Sequence, residues 1–561
     1  MSHRVPWRLA SAEDLRTIVR DVGSLLTMQS GLMALTVLVA AAFREWYPLA
    51  AFVIAAAVTG VVGVAARRSC ADAPAPKMKH GMVIAALGWL STAVFGALPF
   101  LLAAYLTPAS VVSTYVPADA TWEAATVAGR TSKSSLVYFR HPLHALFESM
   151  SGWTGSGLTM AIHEPSLPRV LQWWRSLIQW VGGVGVIVLT VSILARPGSG
   201  SYALYRSEAR EQKIHPSIVS TVRTVWQIFV GYTLLSVVAL FVAIRLSDYG
   251  SALPLWEAGW QALNHAMTGL STGGFSVTDN SIATYDSVLI ESVLLPVMAL
   301  GAIAFPVHYA FLRGRDIETL TGDLQTRWLF LLFGAGILVL SVQNALSVDA
   351  VPAAFATSGF LPGAVPLGPA VADALRDSTF QWVSALSCTG FQSAPIGRWV
   401  EGGKVFLSGA MVLGGAAGST VGGIKIVRGY MVARGIRWQF SRVFLPPNAV
   451  VTARIDGRTL TRPEMEREFN EATIVTLLWL ILLSVGSLLL VNATGPAYGY
   501  ADALFEVASA QGNVGLSTGI TGPSMPRAAE AMFLLNMWVG RLEIIPVLVF
   551  LRSAIYGLNP R

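Results

Sequence analysis

Ten apolar stretches, each near the length a helix needs to cross a bilayer, constrain this chain of 561 residues more than any other feature. They fall at about 24–43, 48–66, 81–105, 170–195, 224–245, 287–312, 328–348, 404–430, 472–492 and 530–552. At about 1.5 Å per residue, about 20 residues cover about 30 Å of hydrocarbon, so an all-α polytopic membrane protein of about ten transmembrane helices is predicted. Only 13% of residues are charged, against about a quarter in soluble domains. The segment MSHRVPWRLASAEDLRTIVR carries both charges and lacks secretory character, so the first span is expected to stay attached. The formal charge of +7 forms no stripe suited to nucleic acid, because the basic residues sit in short loops. Those loops hold Arg67, Arg68, Lys77 and Lys79; Arg196, Arg206, Arg210 and Lys213; Arg313 and Arg315; and Arg428, Arg434, Arg437 and Arg442. The positive-inside rule puts that side, with both termini, in the cytoplasm. Cys70 and Cys388 are too few and too differently placed for a disulfide framework or a zinc site.

Between the spans lie weaker apolar stretches near 142–153, 256–270, 373–387 and 500–511, too short to cross and suited to re-entrant segments entering from outside. The segments FESMSGWTGSGL (147–158), NHAMTGLSTGGF (264–275), FQWVSALSCTGF (380–391) and FEVASAQGNVGL (505–516) superimpose without a gap. Gly157, Gly274, Gly390 and Gly515 then share one column, 117, 116 and 125 residues apart. The chain thus reads as a two-helix preface (1–79) and four units of helix, pore loop and helix, at 80–215, 216–320, 321–465 and 466–561, in pseudo-fourfold arrangement.

Irregular backbone survives at membrane depth only inside protein or along a water-filled path. Four such loops around one axis would present rings of carbonyl oxygens that replace a cation's hydration shell, with short helices aiming negative C-terminal ends at it. The candidate filter residues are Thr154, Gly155, Ser156 and Gly157; Ser271, Thr272, Gly273 and Gly274; Ser387, Cys388, Thr389 and Gly390; and Gly512, Asn513, Val514 and Gly515. No carboxylate falls among these sixteen, which argues against a divalent-ion ring. Glu148 and Glu506, earlier in the short helices, read as structural.

With QWVGGVGVIVLTVSIL (179–194), GGAAGSTVGGIK (414–425) and MWVGRLEI (537–544), these segments make the chain resemble the superfamily of potassium transporters comprising bacterial Trk and Ktr systems and plant HKT proteins, and most closely the Trk-type pore subunit. The resemblance implies K⁺ as the transported ion, no enzymatic activity and no organic cofactor. It also implies a homodimer in the lipid of a bacterial inner membrane, and a cytoplasmic nucleotide-binding regulatory subunit. The filters depart from the Trk pattern in TGSG at 154–157, in Cys388 and in GNVG at 512–515. In plant relatives a serine in place of the first filter glycine accompanies Na⁺ transport, so Gly157 favours K⁺.

The segment 414–425 interrupts an apolar run and does not match a phosphate-binding loop. It reads as an unwound stretch in the pore cavity, and in the family the matching stretch is an intramembrane gate. The gate candidates are Gly414, Gly415, Gly418, Ser419, Thr420, Gly422, Gly423 and Lys425, the last reading equally as a helix-end charge snorkelling to the cytoplasm. Arg541 lies about ten residues into the final span, where an unpaired guanidinium costs about 2.5–3.5 kcal/mol. Glu543, two residues away, does not share its helix face, so Arg541 is expected to face the pore, where the family places an electrostatic barrier. His141 and His144 read as a short-helix entrance, Trp173 and Trp174 as an interfacial belt, Arg175 as an interface anchor, and 107–140 as an external insertion. A Na⁺- or H⁺-coupled symporter is the alternative, disfavoured because the units run in one direction without a midplane acid cluster.

Overall fold

A computed structural model describes residues 12–194, 218–314, 318–351, 369–446, 453–455 and 458–558. Arg196, Arg206, Arg210, Lys213 and Arg315 of the predicted basic loops lie outside them. Among the described residues six helices are long and apolar enough to cross a membrane: Ala12–Ala42, Trp46–Ser69, Met78–Leu106, Val219–Leu246, Leu324–Ala345 and Arg462–Ala493. Large apolar side chains such as Leu38, Val61, Leu234, Leu338 and Leu489 stand exposed on them, as lipid-facing positions do. Local chemistry sets two of their starts. The Asp323 carboxylate accepts from the Thr326 amide at 2.8 Å, and Thr461 with Glu464 forms a capping box.

The runs at 287–312 and 530–552, predicted as continuous spans, are each broken. Val288–Ala302 meets Phe305–Gly314 at 106°, and Arg527–Arg541 meets Ile545–Tyr556 at 111°. Proline explains both, because Pro306 and Pro546 occupy the first turn of the second segment, where a ring without an amide starts a helix better than it continues one. Counting each bent pair as one span gives up to eight among the described residues. The run at 170–195 is the helix Arg169–Leu194, and that at 404–430 becomes Glu401–Val412 and Ile426–Ser441 around a non-helical stretch. The segment 107–140 holds short helical turns and a hairpin pairing Ala125–Val127 with Arg130–Ser132.

The four predicted dips are short helices, Pro142–Thr154, Leu255–Leu270, Pro369–Leu386 and Tyr500–Gly512. The second helix of each unit packs on the short helix of the next: Arg169–Leu194 on the second, Val288–Ala302 on the third and Glu401–Val412 on the fourth. Arg527–Arg541 returns to the first, closing the circle.

The preface helices cross through small residues. A Cβ on Gly63 would stand 2.7 Å from the Thr27 amide and 2.9 Å from the Gly23 carbonyl, whereas one on Gly31 would meet nothing within 4 Å. Gly63→Leu is therefore expected to destabilise by about 1–3 kcal/mol through overpacking and to lower the unfolding midpoint in detergent, followed by tryptophan fluorescence; Gly31→Leu leaves it unchanged.

Candidate functional site

All four short helices end in the same backbone closure. The amides of Ser156, Gly273, Thr389 and Val514 donate to carbonyls five residues back, at 2.8, 2.8, 2.9 and 2.9 Å, from Ser151, Thr268, Ser384 and Ser509. This is the Schellman pattern, whose turning residue adopts a left-handed conformation. That residue is Gly155 (φ 70°), Thr272 (53°), Cys388 (53°) or Asn513 (54°). Glycine takes it freely, while a side-chain-bearing residue in this region costs about 1–2 kcal/mol, so the tertiary structure must hold Thr272 and Cys388 there.

Two residues later the aligned glycines are left-handed again, with φ of 77°, 73°, 78° and 109° at Gly157, Gly274, Gly390 and Gly515. A Cβ on Gly157 would strike the Gly273 carbonyl oxygen, one on Gly274 that of Thr389, one on Gly390 that of Val514, and one on Gly515 that of Ser156. Each would lie within 2.6 Å of that oxygen. The contacts run from each unit to the next and close on the first, so the four glycines form one ring. A single cavity of about 430 Å³ is lined by all four.

Behind the ring, the residue nine before each glycine anchors the chain just beyond it. Glu148 accepts from the Thr159 hydroxyl at 2.9 Å and the Met160 amide at 2.8 Å, and Glu506 accepts from Ser517 Oγ at 2.6 Å and the Thr518 amide at 2.8 Å. His265 Nε2 lies 2.9 Å from Ser276 Oγ, and Gln381 Nε2 donates to Ser393 Oγ at 3.0 Å. Arg175 is not the predicted interface anchor. It is 1% exposed, pairs with Glu148 at 2.6 Å, donates to the Ser276 carbonyl at 2.7 Å and lines the cavity. Trp174 is likewise fully buried, donating to Gly96, so it belongs to no interfacial belt. Glu164 also lines the cavity, and burial pushes its carboxyl up to about 7 against the pull of Arg175.

On another side of the ring lies the stretch 413–425. Ala416 N donates to the Ala302 carbonyl at 3.0 Å, Thr420 N to that of Gly301 at 3.2 Å, and Phe305 N to that of Gly418 at 3.0 Å. The stretch thus fills the backbone valences opened by the break at 302–305. Gly418 and Gly423 take φ of 80° and 64°. A Cβ on Gly414 would strike the Gly422 oxygen, and one on Gly415 would meet the Ala302 oxygen at 2.9 Å. Ser419 Oγ folds back onto the Ala416 carbonyl, and the Thr420 hydroxyl meets that of Thr272 at 2.9 Å, tying the stretch to the second ring segment. Lys425 does not snorkel: its ammonium is buried and donates to the carbonyls of Val421 and Gly422.

Arg541 is the last residue of its helix, 5% exposed, and donates to the carbonyls of Thr420 at 2.8 Å and Gly182 at 3.0 Å. A Cβ on Gly155 would come within 3.8 Å of its Nη1. Glu543 pairs instead with Arg428, holding a corner in which Glu543 and Ile544 have φ of 51° and 71°. His141 caps the first short helix, and His144 lies 2.7 Å from Glu530. Among the described residues no three His, Cys, Asp or Glu side chains gather for a metal, and both cysteines are free.

Residues 80–555 match the family model TrkH, described as cation transport protein. The chain belongs to that family. It is 31% identical over 474 residues to an uncharacterized cation transporter of Methanocaldococcus jannaschii, covering 84% of this chain and 82% of that one. It is 28% identical over 561 residues to the Trk system potassium uptake protein TrkH of Halomonas elongata, covering 97% and 99% of the two chains. The crystal structure of the potassium transporter TrkH from Vibrio parahaemolyticus shares the fold, with TM-score 0.73 at 24% identity, covering 96% of this chain and 98% of that one.

In this TrkH-family chain the sequence reading named Glu148 and Glu506 as structural without saying what they hold, and it missed their counterparts His265 and Gln381 and the left-handed conformation two residues before each glycine. The ungapped alignment already carried the first signal, since Glu148, His265, Gln381 and Glu506 form one polar column in otherwise largely apolar helices. Gly274→Ala is expected to lower cation flux about five- to 150-fold, the factors that an overpacking cost of about 1–3 kcal/mol inside the ring represents. Gly231→Ala, where a Cβ would meet nothing within 4 Å, leaves flux unchanged in the same proteoliposomes.

Proposed function

We propose that this chain is the pore-forming subunit of a gated potassium-uptake system. Residues 154–157, 271–274, 387–390 and 512–515 form its filter, 414–425 its gate, and Arg541 an electrostatic barrier between them. The observation that carries the reading is the closed ring of glycine-to-carbonyl contacts at Gly157, Gly274, Gly390 and Gly515, which gathers the four filter backbones so that their peptide oxygens can replace the hydration shell of a monovalent cation. The potassium-uptake names of its relatives, TrkH of Halomonas elongata among them, favour K⁺ as cargo.

On this reading K⁺ enters the cavity, sheds water to the peptide oxygens of the ring, and meets a guanidinium and a folded stretch of chain beyond it. Among the described residues Arg541 is held by carbonyls and not by a carboxylate, so its full charge opposes a cation there. Displacing 414–425 removes the Thr420 carbonyl from Arg541 and clears the path. The units at 80–215, 216–320, 321–465 and 466–561 surround this path behind the preface 1–79. The basic loops and both termini face the cytoplasm, where a nucleotide-binding regulatory subunit acts on a homodimer.

The test is flux of K⁺, Rb⁺ and Na⁺ into liposomes with and without a membrane potential. Passive K⁺ and Rb⁺ entry that exceeds Na⁺ entry is expected, and an absolute requirement for a second ion overturns the channel reading in favour of symport. Shortening 414–425 by a few residues, and Arg541→Gln separately, should each raise K⁺ flux about tenfold or more, the factor that about 1.4 kcal/mol of barrier represents; unchanged rates would remove the gate and barrier roles.

A further inference from the structure

The four anchors behind the ring occupy equivalent places but differ in charge. Glu148 is neutralised by the Arg175 guanidinium at 2.6 Å, and the same guanidinium lies 4.0 Å from Glu164. His265 shares its ring nitrogens between Ser276 Oγ and the Tyr285 hydroxyl, at 2.9 and 3.0 Å, and Gln381 is neutral by nature. Glu506 stands apart. Its side chain is fully buried, and among the described residues no Lys, Arg or His forms an ion pair with it.

In place of a cation, Glu506 collects donors from one turn of chain. The amides of Thr518, Gly519 and Ile520 donate to Oε1 at 2.8, 3.2 and 3.2 Å, joined by the hydroxyls of Ser517 at 2.6 Å and Thr518 at 3.2 Å. The Thr521 hydroxyl donates to Oε2. Such a set suits an ionised carboxylate, which accepts on both oxygens and donates on neither. Hydrogen bonds stabilise the charge without cancelling it. Ser517 and Thr521 themselves line the cavity beside Gly157, Gly274, Gly390 and Gly515, so the negative charge lies one hydroxyl behind the cavity wall.

We infer that Glu506 is the electrostatic attractor of the pore entrance, a buried carboxylate in the fourth unit that concentrates monovalent cations in the cavity above the ring while positioning residues 517–521. This rests on the pore reading above. It makes the entrance electrically asymmetric: the first unit's Glu148 is committed to Arg175, and the fourth unit's charge is left to act on the permeating ion.

The experiment is initial Rb⁺ uptake against Rb⁺ concentration, by cells lacking their own K⁺-uptake systems and expressing the full chain. Glu506→Gln keeps Oε1 as acceptor and removes the charge. It is expected to raise KM about three- to tenfold at low ionic strength, with Vmax and the K⁺ to Na⁺ preference kept, the gap closing at high ionic strength. Glu506→Ala, which removes the anchor as well, loses the ion preference. Moving the charge by Glu506→Gln with Gln381→Glu restores a low KM, because that carboxylate sits at the equivalent place in the third unit, where the Ser393 hydroxyl, which accepts from Gln381 Nε2 in the parent, turns to donate to it. Gln381→Glu alone, usable if Glu506→Gln fails to accumulate, lowers KM below that of the parent. An unchanged KM in Glu506→Gln with intact K⁺ preference overturns the attractor and leaves the pore standing. Loss of preference in Gln and Ala variants alike reduces Glu506 to an anchor. Unaltered Rb⁺ uptake in Gly274→Ala would instead sink the pore reading itself.

Discussion

A peptide group inside a bilayer must find its hydrogen-bond partner within the protein, and this structure depends on that requirement at every interruption of its helices. The helix broken at 302–305 exposes the carbonyls of Gly301 and Ala302 and the amide of Phe305. The stretch 413–425 supplies the amides of Thr420 and Ala416 and the carbonyl of Gly418 that meet them. A third break, after Arg541, lets that guanidinium reach the carbonyls of Thr420 and Gly182. Each irregularity is tolerated because another completes it.

Charge is distributed by the same logic. Lys404 with Asp502, Arg376 with Glu291, Arg175 with Glu148 and Arg428 with Glu543 are buried pairs that fasten helices of different units or segments to one another. Removing one member of such a pair leaves an uncompensated charge and typically costs about 3–5 kcal/mol. Arg541 and Glu506 are treated differently, one held by carbonyls and the other by amides and hydroxyls. Among the described residues neither forms an ion pair, so their charges are stabilised but not cancelled.

The fourfold pattern is a property of the backbone more than of the side chains. The Schellman closures and the left-handed glycines repeat in all four units, while the turning residue is Gly, Thr, Cys or Asn and the anchor Glu, His, Gln or Glu. A single chain encoding four units can give each a separate task while keeping the ring regular. Thr272 uses its hydroxyl to reach Thr420 in the stretch 413–425, and Asn513 donates to the Met537 carbonyl.

Hydropathy and an ungapped repeat were enough to read a polytopic helical protein, the four dips, and the column of Gly157, Gly274, Gly390 and Gly515, because span length and the need for left-handed backbone are local properties. The bends at 302–305 and 542–544 were legible only through Pro306 and Pro546, which hydropathy averages away. What the tertiary structure alone decided was which groups meet: that the four glycines close into one ring, that Arg175 turns inward to Glu148, that Glu543 takes Arg428 and leaves Arg541 to the carbonyls. Partners so far apart in the chain are chosen by how the units pack around a shared axis, and no local pattern of residues carries that information.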